Sequence, residues 1–450
     1  MFRGVGYISG KSKSAPSLNL DFLLGGLDSR ITLTRASSAW YFDHNGNLIQ
    51  AATNEPRFDY APSARIQTYS YTIPAGDSTG VFIVPVGING IISQTVFVNG
   101  TPITPTSKDS SPFNPLTETW FGLGATYFGG TVLSIEYTGY DPVGLLIEGG
   151  MTNIALHSRD FTQAAWVKTN ITAALNVDGI DGVASSASRL TATAGNGTAL
   201  QTITSASATH VSSFFARRIT GTGTVEITQN GGVTWSPITL TAAWQRFNVA
   251  SATVLNPVIG FRIVTSGDVI AVDVAQCEVA GAPTSPIITG AASVARAADN
   301  ATVNTLTPWF NAIEGTILAE YSRPFPAANT SELTINDGTA QNVIDIFSNG
   351  ANNRVARVTV AGANQFNPTL GTGPDAAFQV SKKILAYRAA DFAACLNGGT
   401  VSTGATGTIP TVTNLRIGRF VAVNHINGWI RRIAYYPTRL PNTTLQGLTA

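Results

Sequence analysis

Apolar and polar residues alternate along most of this chain, and turn-forming residues interrupt the alternation at short intervals. "YTIPAGDSTGVFIVPVG" (71–87), "TVFVNGTPITPT" (95–106), "GTVLSIEYTGY" (130–140) and "RVARVTVAG" (354–362) all follow the pattern. A period of two sends successive side chains to opposite faces of an extended backbone, so one face can be buried while the other meets water. Asn99-Gly100 is a hairpin-turn signal. "GTVEITQNGGVTWSPITL" (223–240) reads as strand, Gly-rich turn and strand. "PVIGFRIVTSGDVIAVDVAQCEVA" (257–280) reads as a hairpin turning at Ser266-Gly267-Asp268. "FQVSKKILAYRAADFAACLNGG" (378–399) and "TNLRIGRF" (413–420) repeat the pattern. Helical periodicity is confined to a turn or two in "TPWFNA" (307–312) and "PNTTLQGLTA" (441–450), where Asn442 is the expected N-cap. The chain is therefore expected to be all-β, built from antiparallel sandwiches.

At 450 residues the chain is long for one core. The small-residue stretch "AGAPTSPIITGAASVARAADNATVN" (280–304) and the segment around "YTGYDPVGLLIEGGMTN" (137–153) mark joints. Four segments are expected: 1–62, irregular and concerned with assembly; 63–140, a β-insert; 141–290, a first sandwich; and 303–450, a second.

Charge excludes several classes of function. There are 27 Lys+Arg against 26 Asp+Glu, so no net field draws the chain to nucleic acid or an anionic membrane. Charged residues make up 12% of the chain, about half the usual share. No apolar run is long enough to span a bilayer, and "MFRGVGYISGKSKSAPS" lacks the apolar core of an export signal. Cys277 and Cys395 fall in different expected segments, which predicts free thiols and a reducing site of synthesis. Four His (His44, His157, His210, His425) show no metal-ligand spacing, and no cofactor or metal is expected.

The closing segment "NHINGWIRRIAYYPTRLPNTTLQGL" (424–448) gathers a His, three Arg and two Tyr. Its alternation reads as a strand stopped by Pro437 and followed by a short helix, so the cluster is expected to close a fold. His425 has neither a carboxylate nor a nucleophile beside it in sequence. The segment resembles the last strand and helix of laminin-G/concanavalin-like sandwiches.

Three longer stretches extend the resemblance: "LDSRITLTRASSAWYFDHNGNLIQAATNEPRFDY" (27–60), "GLLIEGGMTNIALHSRDFTQAAWVKTN" (144–170) and "AQCEVAGAPTSPIITGAASVARAADNATV" (275–303). They look like recurrent segments of bacteriophage virion fibre and spike proteins. The resemblance implies a carbohydrate-binding-module-like jelly roll at 141–290 and a concanavalin-like sandwich at 303–450. In such proteins "FDYxP" runs almost directly into "GLLIE"; residues 63–140 intervene here, between the similar flanks "FDYAP" and "GYDPV". An inserted β-domain is therefore expected.

Chemistry finds little footing in the sequence. A glycosidase needs two carboxylates held about 5–10 Å apart across a sugar cleft. Glu136 and Asp141, or Asp273 and Glu278, stand at odd spacing and would point to opposite strand faces. Glu332 and Asp337 flank a turn-like stretch and read as solvated. No GxSxG or phosphate-loop sequence is present. Asp273 is a lone candidate ligand for a structural calcium, on analogy with related jelly rolls.

Sugar binding asks for an aromatic face and nearby hydrogen-bonding side chains. Trp235, after a Gly-rich turn, and Trp120, in the insert, are the candidate platforms; Trp244 and Trp429 read as core. The expected function is a non-enzymatic fibre or spike on the virion surface, made in the host cytoplasm and adhering to host cell-surface polysaccharide. A decoration protein without glycan binding and a depolymerase are the alternatives. Expected partners are other virion proteins and further copies of the chain, as a homotrimer, with neither nucleic acid nor membrane insertion.

Overall fold

The computed structural model describes residues 15–61, 65–84, 91–110 and 119–450. The chain divides into two compact units. One joins the residues up to Phe22 with Leu27–Thr32 and Asn300–Ala450; the other holds Leu23–Gly26 and Leu33–Asp299. Residues 15–61 contribute to both, and the finer division into four segments stays a proposal. Among the described residues the fold is nearly all β, with several antiparallel sheets and one short C-terminal α-helix.

In the larger unit, two sheets face each other across an aromatic core. One contains Gly197–Thr202, Val258–Ile263, Val225–Thr228 and Ser236–Ile238; the other contains Ile171–Val177, Ala187–Ala192, Val269–Glu278 and Ala208–Thr220. Between them lie Phe161, Trp166, Leu190, Phe214, Phe261 and Ile270. Phe161 stacks on Trp166 with centroids 3.9 Å apart. Burying each such side chain contributes roughly 1.5–3 kcal/mol.

The strands of 257–280 do not form the expected hairpin. The turn at 266–268 is present, but Val258–Ile263 and Val269–Glu278 belong to different sheets, so the turn carries the chain from one layer to the other. Val269–Glu278 is buried along its whole length, as befits a central strand.

The described strands between Arg65 and Gly139 build two sheets around a core of their own, with Phe82, Val96, Phe121, Leu133 and Ile135 inside. Their Asn99-Gly100 turn is a hairpin, with Val98 opposite Thr101 and φ of 48° and 79° at the two turn residues. Both central residues at positive φ is the type I′ arrangement that suits strand twist.

The smaller unit is a second sandwich. One sheet holds Phe392–Leu396, Ser381–Arg388, Glu314–Ser322, Gly428–Tyr436 and Leu18–Asp21; the other holds Asn300–Val303, Asn414–Ile417, Thr330–Asn336, Val343–Ser348 and Arg354–Val360. The helix Asn442–Thr449 packs Leu445 into a cluster with Leu318, Ile384 and Tyr436. Pro441, not Asn442, occupies the cap position, and no side chain caps the helix. Proline at that position fixes φ and starts the helix one residue earlier than an Asn cap would. Residues 307–312 make a single turn, closed by Phe310 N–H donating to the Leu306 carbonyl at 2.9 Å.

Candidate functional site

The closing segment does the work of fold closure. The Tyr387 and Tyr435 hydroxyls lie 2.7 Å apart, and Tyr435 Oη accepts from the Asn311 N–H at 3.0 Å. Trp309 meets Tyr435 edge-on, 5.2 Å between centroids. Arg431 pairs with Glu320 at 3.1 Å and Arg432 donates to Asn19 Oδ1 at 2.9 Å. The Arg and Tyr residues that crowd this stretch are thereby distributed over strand contacts and neighbouring loops.

The segments quoted for the fibre resemblance also meet in space. Arg35, Arg57, Glu148, Arg296 and Asp299 form one buried ionic cluster. Arg57 donates to Glu148 Oε2 at 2.8 Å and to Asp299 Oδ2 at 2.5 Å; Arg35 reaches Asp299 Oδ1 at 3.0 Å. Ser285 closes the ring, its N–H on Glu148 Oε1 at 2.7 Å and its hydroxyl on Oε2 at 2.6 Å. Burial pushes the Glu148 carboxyl up, but Arg296, Arg57 and Ser285 outweigh it and hold the pKa at about 2. Burial works to lower the Arg57 pKa, and the two carboxylates reverse that and raise it. These contacts make a structural clasp between stretches far apart in sequence.

Two further sets of buried carboxylates are likewise taken up by cations. Asp273 receives Arg159 Nε at 2.8 Å on Oδ1 and the Ile180 N–H at 3.0 Å on Oδ2, and Arg159 also forks onto Asp181. A calcium at Asp273 does not fit, because a guanidinium occupies the place of the ion. Among the described residues no group of three or more His, Cys, Asp or Glu is placed to hold a metal.

Glu332, expected in solvent, is 0% exposed. It sits in the middle of the strand Thr330–Asn336, with Arg323 on one oxygen and Lys383 Nζ on the other, the latter at 3.0 Å. A register shift between Ser331 and Leu333 accompanies this inward placement. Burial pulls the Lys383 pKa down to about 8 although Glu332 opposes it. Asp337 lies in the turn, where it accepts from Thr339 and Asn342. Asp273 and Glu278 are both fully buried, so neither faces a cleft.

Trp235 is half-buried at the end of a stiffened loop. Asn230 Oδ1 accepts from Thr234 N–H at 3.0 Å, Thr228 Oγ1 accepts from Gly232 N–H at 3.1 Å, and Gly231 and Gly232 adopt φ of 71° and 86°. Glycine is required at Gly232: a Cβ there would stand 2.7 Å from the indole ring. Arg262 lies over the ring, 4.6 Å from its centroid, and is ion-paired to Glu226. Strand register aligns Arg262, Glu226 and Pro237 in one row across the sheet. The row and the indole together present donors, acceptors and an aromatic ring on one sheet surface.

Trp120 is half-buried on Thr119–Phe128, opposite Ile83, which is 47% exposed. Trp429 is buried as expected; Trp244 is half-buried, with Arg217 over its ring at 5.2 Å.

A cavity of about 180 Å³ that no sequence spacing announced opens in the smaller unit. Asn329, Thr330, Asp345, Phe347, Arg357, Phe420 and Asn424 line much of it. Arg357 grips Asp345 through Nε at 3.1 Å and Nη2 at 2.8 Å. The guanidinium lies 4.6 Å from the centroid of Phe347 and 5.2 Å from that of Phe420. Burial pushes the Asp345 carboxyl up to about 6 against the pull of Arg357.

No family model matches the chain. No curated protein matches it either. Among solved structures it is similar to the Ruminococcus gnavus IT-sialidase CBM40, at 16% identity over 31% of this chain and 84% of that one, with a TM-score of 0.26. It is similar to the leech intramolecular trans-sialidase at 16% identity, over 31% of this chain and 23% of that one, with a TM-score of 0.27. It is also similar to the CBM22 tandem domain of Paenibacillus barcinonensis Xyn10C, at 9% identity over 63% and 98%, with a TM-score of 0.22. At these scores the likenesses carry no argument about what the chain binds.

Proposed function

We propose that this chain is a non-enzymatic saccharide-binding protein of a bacteriophage particle, a fibre or spike that holds the virion to host surface glycans. The observation that carries the binding reading is the Trp235 surface. Trp235 is half-buried, so the part of the indole that Arg262 and Gly232 leave open would meet sugar C–H groups, and the adjoining Arg262–Glu226 pair would offer donors and acceptors to hydroxyls. The loop beneath is already ordered by its own hydrogen bonds, so little conformational freedom is lost on binding.

The particle assignment rests on the resemblance of residues 27–60, 144–170 and 275–303 to virion fibre segments. Arg35, Arg57, Glu148, Arg296 and Asp299, drawn from all three, meet in one buried clasp, which supports reading the segments as folding together.

A glycan array probed with the full chain and with Trp235→Ala is the test. Binding to host-type polysaccharide that falls at least about tenfold in the variant is expected. An array and host cells left bare by the wild-type chain would favour a decoration protein that stabilises the particle. Shortening of capsular polysaccharide on incubation would replace adhesion by depolymerisation.

A further inference from the structure

The 180 Å³ cavity of the smaller unit shares no residue with the Trp235 surface. Its composition is specific. Asn329 and Asn424 both stand at its wall in the left-handed region, with φ of 52° and 56°. Asn tolerates that backbone better than most residues, and its carboxamide carries both a donor and an acceptor. Thr330, also at the wall, is 2% exposed, and its hydroxyl has no hydrogen-bond partner among the described residues. A buried hydroxyl left unmatched costs about 1–3 kcal/mol. Phe347 and Phe420 flank Arg357 and add apolar surface beside the polar groups.

Charge and size narrow the ligand. Arg357 is matched by Asp345 through two hydrogen bonds, so the walls carry one positive and one negative charge in contact. Arg416 and Arg419, near in sequence to Phe420, turn to the Val421 carbonyl at 2.9 and 2.8 Å and do not line the cavity. An anionic sugar would bring its carboxylate beside Asp345 without a free counter-charge. A cavity of this volume is below the roughly 300–1,000 Å³ typical of drug-sized ligands. One ring fits that scale better than an extended oligosaccharide.

We propose that this cavity is a second saccharide site and takes a single uncharged pyranose, the terminal residue of a host glycan. The inference extends the adhesion reading to another surface, and it does not depend on Trp235. Two sites on each chain multiply the contacts available to a multimer, where linked weak sites gain by effective concentration.

Ligand-observed NMR of the full chain with free hexoses and with free hexuronates tests it. Saturation transfer to an uncharged hexose is expected, with weaker transfer to the matching hexuronate. The double variant Asn329→Gly/Asn424→Gly removes both carboxamides while keeping the backbone conformation accessible, and it should weaken hexose binding at least about tenfold. Thr330→Val, nearly isosteric, should weaken binding without lowering the melting temperature. Trp235→Ala should leave hexose binding at this cavity intact. Hexose binding undiminished in the Asn pair would overturn the cavity assignment and leave adhesion standing. So would absence of hexose binding by a wild-type chain that still binds glycan arrays. Hexose binding that depends on the Asn pair, in a chain that binds no cells, would instead remove the adhesion reading and keep the cavity.

Discussion

Lys383 donates a 3.0 Å hydrogen bond to Glu332 where neither side chain touches solvent, and Arg323 holds the other Glu332 oxygen. One carboxylate thus serves two cations inside the second sandwich. Glu332→Gln leaves both cations without their anion and should destabilise the unit by about 3–5 kcal/mol, read from urea unfolding. An unchanged midpoint would show that water reaches this network.

The same network predicts a dependence on alkali. The folded pKa of Lys383 lies at about 8 against an ordinary 10.5. Between those values the unfolded chain binds more protons than the folded one, so stability rises with pH across that window. The rise should be present in the wild-type chain and missing in Lys383→Met, compared by denaturation at pH 7.5, 9 and 10.5. Equal slopes in the two proteins would contradict the assignment.

At the acid end the clasp of the larger unit governs. Glu148 titrates at about 2 when folded and near 4.5 when free. Its contribution is fully present above about pH 4.5 and is lost as pH falls towards 2. The loss is on the order of 3 kcal/mol by linkage. Glu148→Gln should flatten that part of the curve and lower stability at neutral pH, because Arg57 and Arg296 lose their shared partner.

Proteolysis tests the joint. Residues 290–295 are exposed, whereas Ile287, Thr289 and Arg296 on either side are buried. Elastase should cut first between 290 and 295. First cleavage within 380–430 would argue against a separable C-terminal sandwich.

Assembly is tested by light scattering on the full chain. A trimer at micromolar concentration is expected, and a monomer would count against it. The described part of the N-terminal segment buries Leu18, Leu20 and Phe22 within its own unit. If a form beginning near Gly144 keeps the trimer, the contacts between copies lie in the sandwiches.

How far the sequence could be read depended on the range of the forces involved. The Asn99-Gly100 hairpin was legible because two turn residues dictate it locally. The layer change at 266–268 was not, since a turn signal says where a chain reverses and not which sheet receives the next strand. Glu332 looked solvated beside a polar turn. Its burial depends on Lys383, whose place across the core no local pattern encodes. Asp273 was visible as a lone acid, but its partner Arg159 lies on a loop 114 residues away. Trp235 was legible from the Gly-rich turn before it; Arg262 over its ring was not. The cavity draws its walls from four separate stretches between 329 and 424, so no single motif could announce it.

Asn19 and Arg432, 413 residues apart, meet where Leu18–Asp21 pairs with Gly428–Tyr436. A ribosome delivers the first of these strands long before the second exists. During translation the early strand has no partner, and the larger unit can fold while it waits. Completion of the smaller unit therefore waits for synthesis of Gly428–Tyr436, after the strands of the larger unit have all been made. A message truncated before codon 428 would yield a folded larger unit trailing open strand edges, the kind of product that host proteases and aggregation remove.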